Sequence, residues 1–150
     1  MEEYDEARRA ALIRTLREQG LPHEEGASGG GPCPVVTLEE FFTGNNDYGS
    51  IGCNLSEREN PEGPQGFYRV LKGIRARPEV QDVLVEVCEA EEEWPFSERV
   101  FVLAASTPAQ VKEWMAPLYP DEVEEGYPFG VPPAAPPLKP GHCVYSAWWD

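Results

Sequence analysis

The run RVFVLAA, from Arg99 to Ala105, constrains this chain more than any other stretch. Six successive apolar residues follow the arginine, and an uninterrupted run of this length reads as a central β-strand. The neighbouring segment Val80 to Glu89 also reads as a strand, with Val83, Val85 and Val87 on one face. Its opposite face carries Asp82, Leu84, Glu86 and Cys88, a mixture that predicts an edge or half-exposed position. Cys143 to Trp149 supplies a further strand, and Ser50 to Leu55 a shorter one. Trp148 and Trp149 must point to opposite sides, so one indole is expected beneath the helices.

Helical segments alternate with these strands. Phe67, Val70, Leu71 and Ile74 fall at i, i+3, i+4 and i+7, and Pro78 marks the end of that amphipathic helix. Ser106-Thr107-Pro108 offers a cap and a first-turn proline for a second helix, with Val111, Trp114, Met115 and Leu118 on one side. Thr37-Leu-Glu-Glu40 matches a capping box and predicts a short helix over Leu38 to Phe42. Glu2 to Gln19 reads as an N-terminal helix with a narrow apolar stripe, stopped by Gly20 and Pro22.

The order from Ser50 onward is β-α-β-β-α-β. The predicted fold class is therefore α+β, a ferredoxin-like antiparallel sheet with both helices on one face and the first and third strands central. The expected organisation is an N-terminal helix over residues 1–20, a Gly- and Pro-rich flexible linker over 21–34, and a single α+β domain over 35–150. Sixteen Pro and fourteen Gly leave much of the chain for loops, including VPPAAPPLKPG ahead of the last strand.

Charge narrows the function classes. The net charge is −15, and residues 79–126 hold thirteen acids against only Arg99 and Lys112, a local balance of −11. With no basic stripe to displace counterions, neither nucleic acid nor an anionic membrane surface is an expected partner. A basic protein is, because an acidic flank would steer it. Cys33, Cys53, Cys88 and Cys143 are widely spaced, and neither His23 nor His142 accompanies a pair, so neither a metal nor any other cofactor is expected. The N-terminus MEEYDEARRA has no apolar signal segment, and a cytoplasmic protein with four free thiols is the simplest expectation. No nucleophile elbow, phosphate loop or zinc-protease motif occurs, so no catalytic residues are assigned.

Two candidate sites remain. In the first, acids flank aromatic anchors, as at protein interfaces: Glu91, Glu92, Glu93, Trp94 and Phe96 in one loop, and Asp121, Glu122, Glu124, Glu125 and Tyr127 in another. The alternative is a small ligand-binding or enzymatic pocket built from Asn45, Asn46, Asp47, Asn54 and His142. Asn45 to Gly49 is equally the composition that a tight turn demands.

The segment FFTGNNDYGSIGCNL, together with the ending YSAWWD, resembles a group of uncharacterised bacterial proteins that are short, acidic and close on an aromatic pair followed by Asp. The resemblance covers much of Val35 to Asp150 and implies no activity. In size and acidity the chain is also similar to immunity proteins that neutralise bacterial toxins. That likeness implies an inhibitor whose basic partner is a toxin.

Overall fold

A computed structural model describes residues 4–20, 32–89 and 93–150. Its elements in chain order are α1 (Glu6–Glu18), β1 (Val35–Thr37), α2 (Leu38–Phe42), α3 (Pro64–Arg75), β2 (Val80–Glu86), β3 (Arg99–Ala104), α4 (Pro108–Met115), a 3-10 turn (Ala116–Leu118), β4 (Glu122–Glu125) and β5 (Cys143–Trp148). Among the described residues this is an α+β fold with one five-stranded sheet in the order β1-β2-β3-β5-β4, and every neighbouring pair is antiparallel. No helix among them is long and apolar enough to cross a membrane.

Local signals set most boundaries. Asp5 caps α1, its Oδ1 accepting from the amides of Ala7 at 3.0 Å and Arg8 at 3.2 Å. Thr37 and Glu40 close the expected capping box in both directions, at 3.0 and 2.9 Å. Gly63, at φ +61°, turns the chain into α3, whose first residue is Pro64. Thr107 Oγ1 accepts from Gln110 N and Pro108 opens α4, as the sequence predicts.

The sheet departs from the ferredoxin-like arrangement in its first strand. Ser50 to Leu55 is a series of turns, in which Gly52 sits at φ +61° and Ile51 makes only an isolated bridge to Ser97. The first strand is instead Val35–Thr37, which lies at the sheet edge against β2. β2 is consequently interior and mostly buried, neither the edge strand nor the half-exposed one that its mixed face predicts. With β1, β2, β3 and β5 in sequential order, the first strand is not central.

All four helices among the described residues contribute to one face. Leu12 and Leu16 of α1, Phe41 and Phe42 of α2, Phe67, Leu71 and Ile74 of α3, and Val111 and Met115 of α4 pack there with Val36, Val83, Val85, Val100, Val102, Tyr145 and Ala147. Trp149 joins them, fully buried, its ring 5.3 Å from Phe67 and its Nε1 donating to Leu118 O at 2.8 Å. Alternation sends Val35, Leu84, Phe101, Leu103 and Val144 to the other face, where they form a smaller core under Tyr127. The proline-rich segment after β4 straps this face. Gly126 N donates to Val144 O at 2.8 Å, and the Gln81 side chain bonds Pro137 O and Lys139 N, both at 2.9 Å.

Two features of β1 were not expected. Its edge is closed by Gln19, whose amide donates to Val35 O at 2.8 Å and accepts from Val35 N at 3.1 Å. Cys33 and Cys88 are disulfide-bonded, with Cα atoms 5.1 Å apart, which corrects the expectation of four free thiols. Val35 pairs with Glu86, and Val87 N bonds Pro34 O, so Cys33 stands opposite Cys88 at a cross-strand position without backbone bonds. Side chains approach most closely at such positions. Cys53 and Cys143 are free. Residues 21–31, most of the expected linker, lie outside the described residues.

Candidate functional site

The two segments that the sequence offers as rival sites meet at one end of the sheet. That end is marked by the paired row Glu86, Arg99, Trp148 and Glu122. Beyond it, the β2–β3 connection folds back on itself, with Phe96 N donating to Glu89 O at 3.1 Å. Ser97 N then donates to Ser50 O at 2.7 Å, which fastens this connection to the Asn45–Ser50 turn.

The turn is held by its own polar groups. Asn45 is fully buried; its Nδ2 donates to Ser50 Oγ at 2.9 Å and to Phe41 O, and its Oδ1 accepts from Asp47 N at 2.9 Å. Asp47 Oδ1 accepts from Gly49 N at 2.9 Å, an Asx turn. Gln65 on α3 anchors the assembly, its Nε2 donating to Phe42 O and Asn45 O at 2.7 Å each. Asn45 is thus committed to structure, whereas Asp47 reaches a cavity.

That cavity, about 250 Å³ and open to solvent on one side, is lined by Asp47, Gly49, Glu89, Glu93, Trp94 and Phe96. Three carboxylate residues and two aromatic ones therefore share one depression. Trp94 is largely core, 3% exposed, and its ring lies 5.9 Å from that of Tyr4. Arg9 Nε donates to Glu93 O at 2.8 Å, fixing the loop to α1. Glu98 and Asp121 stand near the same end of the sheet, where Trp149 N binds Glu98 O and Asp121 N binds Trp148 O.

Other residues of the expected sites fall elsewhere. Glu91 and Glu92 lie outside the described residues. Glu124 and Glu125 run along the exposed edge strand β4, away from that end. Tyr127 packs edge-on against Phe101, 4.9 Å between ring centres, under the strap. Asn46 is exposed on the turn, and Asn54 Nδ2 donates to Asp150 O at 2.8 Å. His142 precedes Cys143, which pairs with Ala104 at the opposite end of the sheet, so it does not join Asp47. Among the described residues, no three His, Cys, Asp or Glu side chains converge as metal ligands would.

A second polar group lies at the same end of the sheet. Glu86 is 4% exposed and faces the strap side; Arg99 Nε lies 3.5 Å from its Oε1, and Arg99 Nη1 donates to Ser146 Oγ. Burial pushes the Glu86 carboxyl up to about 7, partly opposed by Arg99 and reinforced by Glu98. Cys88 Sγ lies 3.6 Å from Glu86 Oε1. The only sequence signal was a carboxylate on the mixed face of an apolar strand.

Fold and site together define an α+β protein whose helices back one face of an antiparallel sheet and whose sheet end carries an acidic–aromatic depression. The chain belongs to the YfbO family, described as "Uncharacterized protein YfbO family", which it matches over residues 7–147. A bacterial relative, "Uncharacterized protein YfbO" of Escherichia coli (strain K12), is 36% identical over 121 residues, covering 79% of this chain and 84% of the relative. No solved structure matches.

Proposed function

We propose that this protein is an acidic interaction protein that binds a basic partner protein through the sheet end bearing Asp47, Glu89, Glu93, Trp94 and Phe96. The shared cavity carries this reading. Its carboxylates attract a cationic side chain, and its aromatic walls offer the faces and apolar contact that a guanidinium or ammonium group prefers. At about 250 Å³ it has room for one inserted Lys or Arg side chain. The −11 balance over residues 79–126 supplies the long-range attraction. In the narrower form of this reading, the protein is an immunity-type inhibitor and the partner is a basic toxin.

The test uses defined probes. A short Arg- and Lys-containing peptide and its citrulline and acetyl-lysine counterpart are titrated calorimetrically at low and high salt. The charged peptide is expected to bind, to weaken about tenfold or more between 25 and 300 mM salt, and to lose affinity to Glu89→Gln/Glu93→Gln. Equal binding of both peptides, or indifference to those substitutions, refutes the electrostatic reading.

A further inference from the structure

We propose that Cys33–Cys88 is a dithiol–disulfide exchange site in which the Glu86 carboxyl carries the proton for the Cys88 sulfur. Three observations converge. Cys88 is half-buried and Cys33, 9% exposed, precedes the three-residue edge strand β1, so the bond lies at the margin of the sheet and Cys33 is reached as that short strand opens. Glu86 Oε1 is 3.6 Å from Cys88 Sγ. A cavity of about 30 Å³, lined by Glu86, Cys88, Glu89, Phe96 and Glu98, has room for one water between this carboxyl and solvent.

An intact disulfide neither gives nor takes a proton. A reduced Cys88 does. Arg99 is the cation facing Glu86 from β3, and Ser146 from β5 holds another nitrogen of that guanidinium. Glu98 adds a like charge on the cavity side. Burial and this neighbour together keep a share of the carboxyl protonated near neutral pH, the condition for passing a proton in either direction.

One thiolate of an external dithiol attacks Cys33 Sγ, forming a mixed disulfide and breaking the Cys33–Cys88 bond. The bonding pair stays on Cys88 Sγ, which takes the Glu86 proton; water restores that proton through the small cavity. The second thiol of the dithiol loses its proton and attacks the mixed disulfide at the dithiol's own sulfur. Cys33 leaves as a thiolate and is protonated by solvent. Two electrons and two protons pass to the cysteine pair, and the dithiol is oxidised to its disulfide.

The full-length oxidised chain is treated with dithiothreitol without denaturant, quenched by alkylation, and Cys33 and Cys88 are followed by peptide-resolved mass spectrometry. Rates are divided by the dithiothreitol thiolate concentration at each pH. The corrected rate is expected to fall through an inflection near pH 7 as Glu86 loses its proton. In Glu86→Gln it is expected to be about tenfold slower or more at pH 6, without the inflection. A bond that resists millimolar dithiothreitol until urea is added overturns the proposal, as does a Gln variant with the parental rate and profile. The wild-type chain gives a second measurement should that variant not fold. Its Glu86 titration, read by carboxyl carbon NMR, is expected to shift its midpoint between oxidised and reduced forms, and identical midpoints overturn the assignment.

Discussion

Two carboxyl groups in this protein are displaced in opposite directions, and they give the fold pH dependences of opposite sign. The Arg75 guanidinium, bonded to both Glu39 oxygens, holds that carboxyl down to about 2. Its contribution is fully present above the unfolded value near 4.5 and is lost as pH falls towards 2. Glu86 has the opposite sign. Raised to about 7, it favours the folded state fully below about 4.5, and that advantage disappears as pH rises through 7. The contributions of these two groups overlap near pH 4.5 to 5. Urea unfolding at pH 5 and pH 8 is expected to differ by about 2 kcal/mol in favour of pH 5. Glu86→Gln is expected to remove most of that difference, and an unchanged difference would assign it to the general acidity of the chain. Glu86 itself was visible in the sequence only as a misfit on the β2 face. Its cross-strand arginine depends on a register that no local pattern encodes.

At the scale of elements, what could be read from the sequence was what local chemistry decides. The Thr37–Glu40 box, the Phe67–Leu71–Ile74 spacing and the Thr107-Pro108 opening each name a helix without reference to the rest of the molecule. β3 announces itself because both its faces are buried. β1 and β4 were missed for complementary reasons. β1 is three residues long, too short to display alternation, and β4 reads Glu-Val-Glu-Glu, a charged edge whose acids discourage further pairing. Ser50 to Leu55 was mistaken for a strand because its apolar residues fill a loop pinned by Ser97, which sequence proximity does not reveal. So short an edge strand needs outside support, and Gln19 gives it from α1 through two bonds to Val35. Gln19→Ala is expected to cost about 1–3 kcal/mol, because Val35 is 2% exposed and its amide and carbonyl would lose both partners. Hydrogen exchange at the Val35 amide should accelerate in step. Loss of stability without faster exchange there would place the effect elsewhere on α1.

For the whole molecule, the decisive fact is that the sheet has two covered faces of unequal character. The helical face is built from a sequence pattern and is deep. The other is closed by a proline-rich strap whose Tyr127 packs over Phe101. That asymmetry also divides the candidate site, keeping the depression at the sheet end accessible while Tyr127 serves as cover. The Tyr127 hydroxyl is buried and has no hydrogen-bond partner among the described residues. Burial, with Asp82 nearby, raises its pKa above the usual tyrosine value. Its ring should therefore stabilise the strap while its hydroxyl opposes it. Tyr127→Phe is expected to be neutral or to stabilise the fold by up to about 1 kcal/mol, since it removes an unsatisfied polar atom and keeps the packing. Tyr127→Ala is expected to destabilise by about 2 kcal/mol and to increase binding of a hydrophobic dye, because Phe101, Leu103 and Val144 lose their lid. Denaturant titration of both variants beside the parent separates ring from hydroxyl. If Tyr127→Phe proves as damaging as Tyr127→Ala, the hydroxyl has a partner in the folded protein, and the strap is held by a bond instead of by packing.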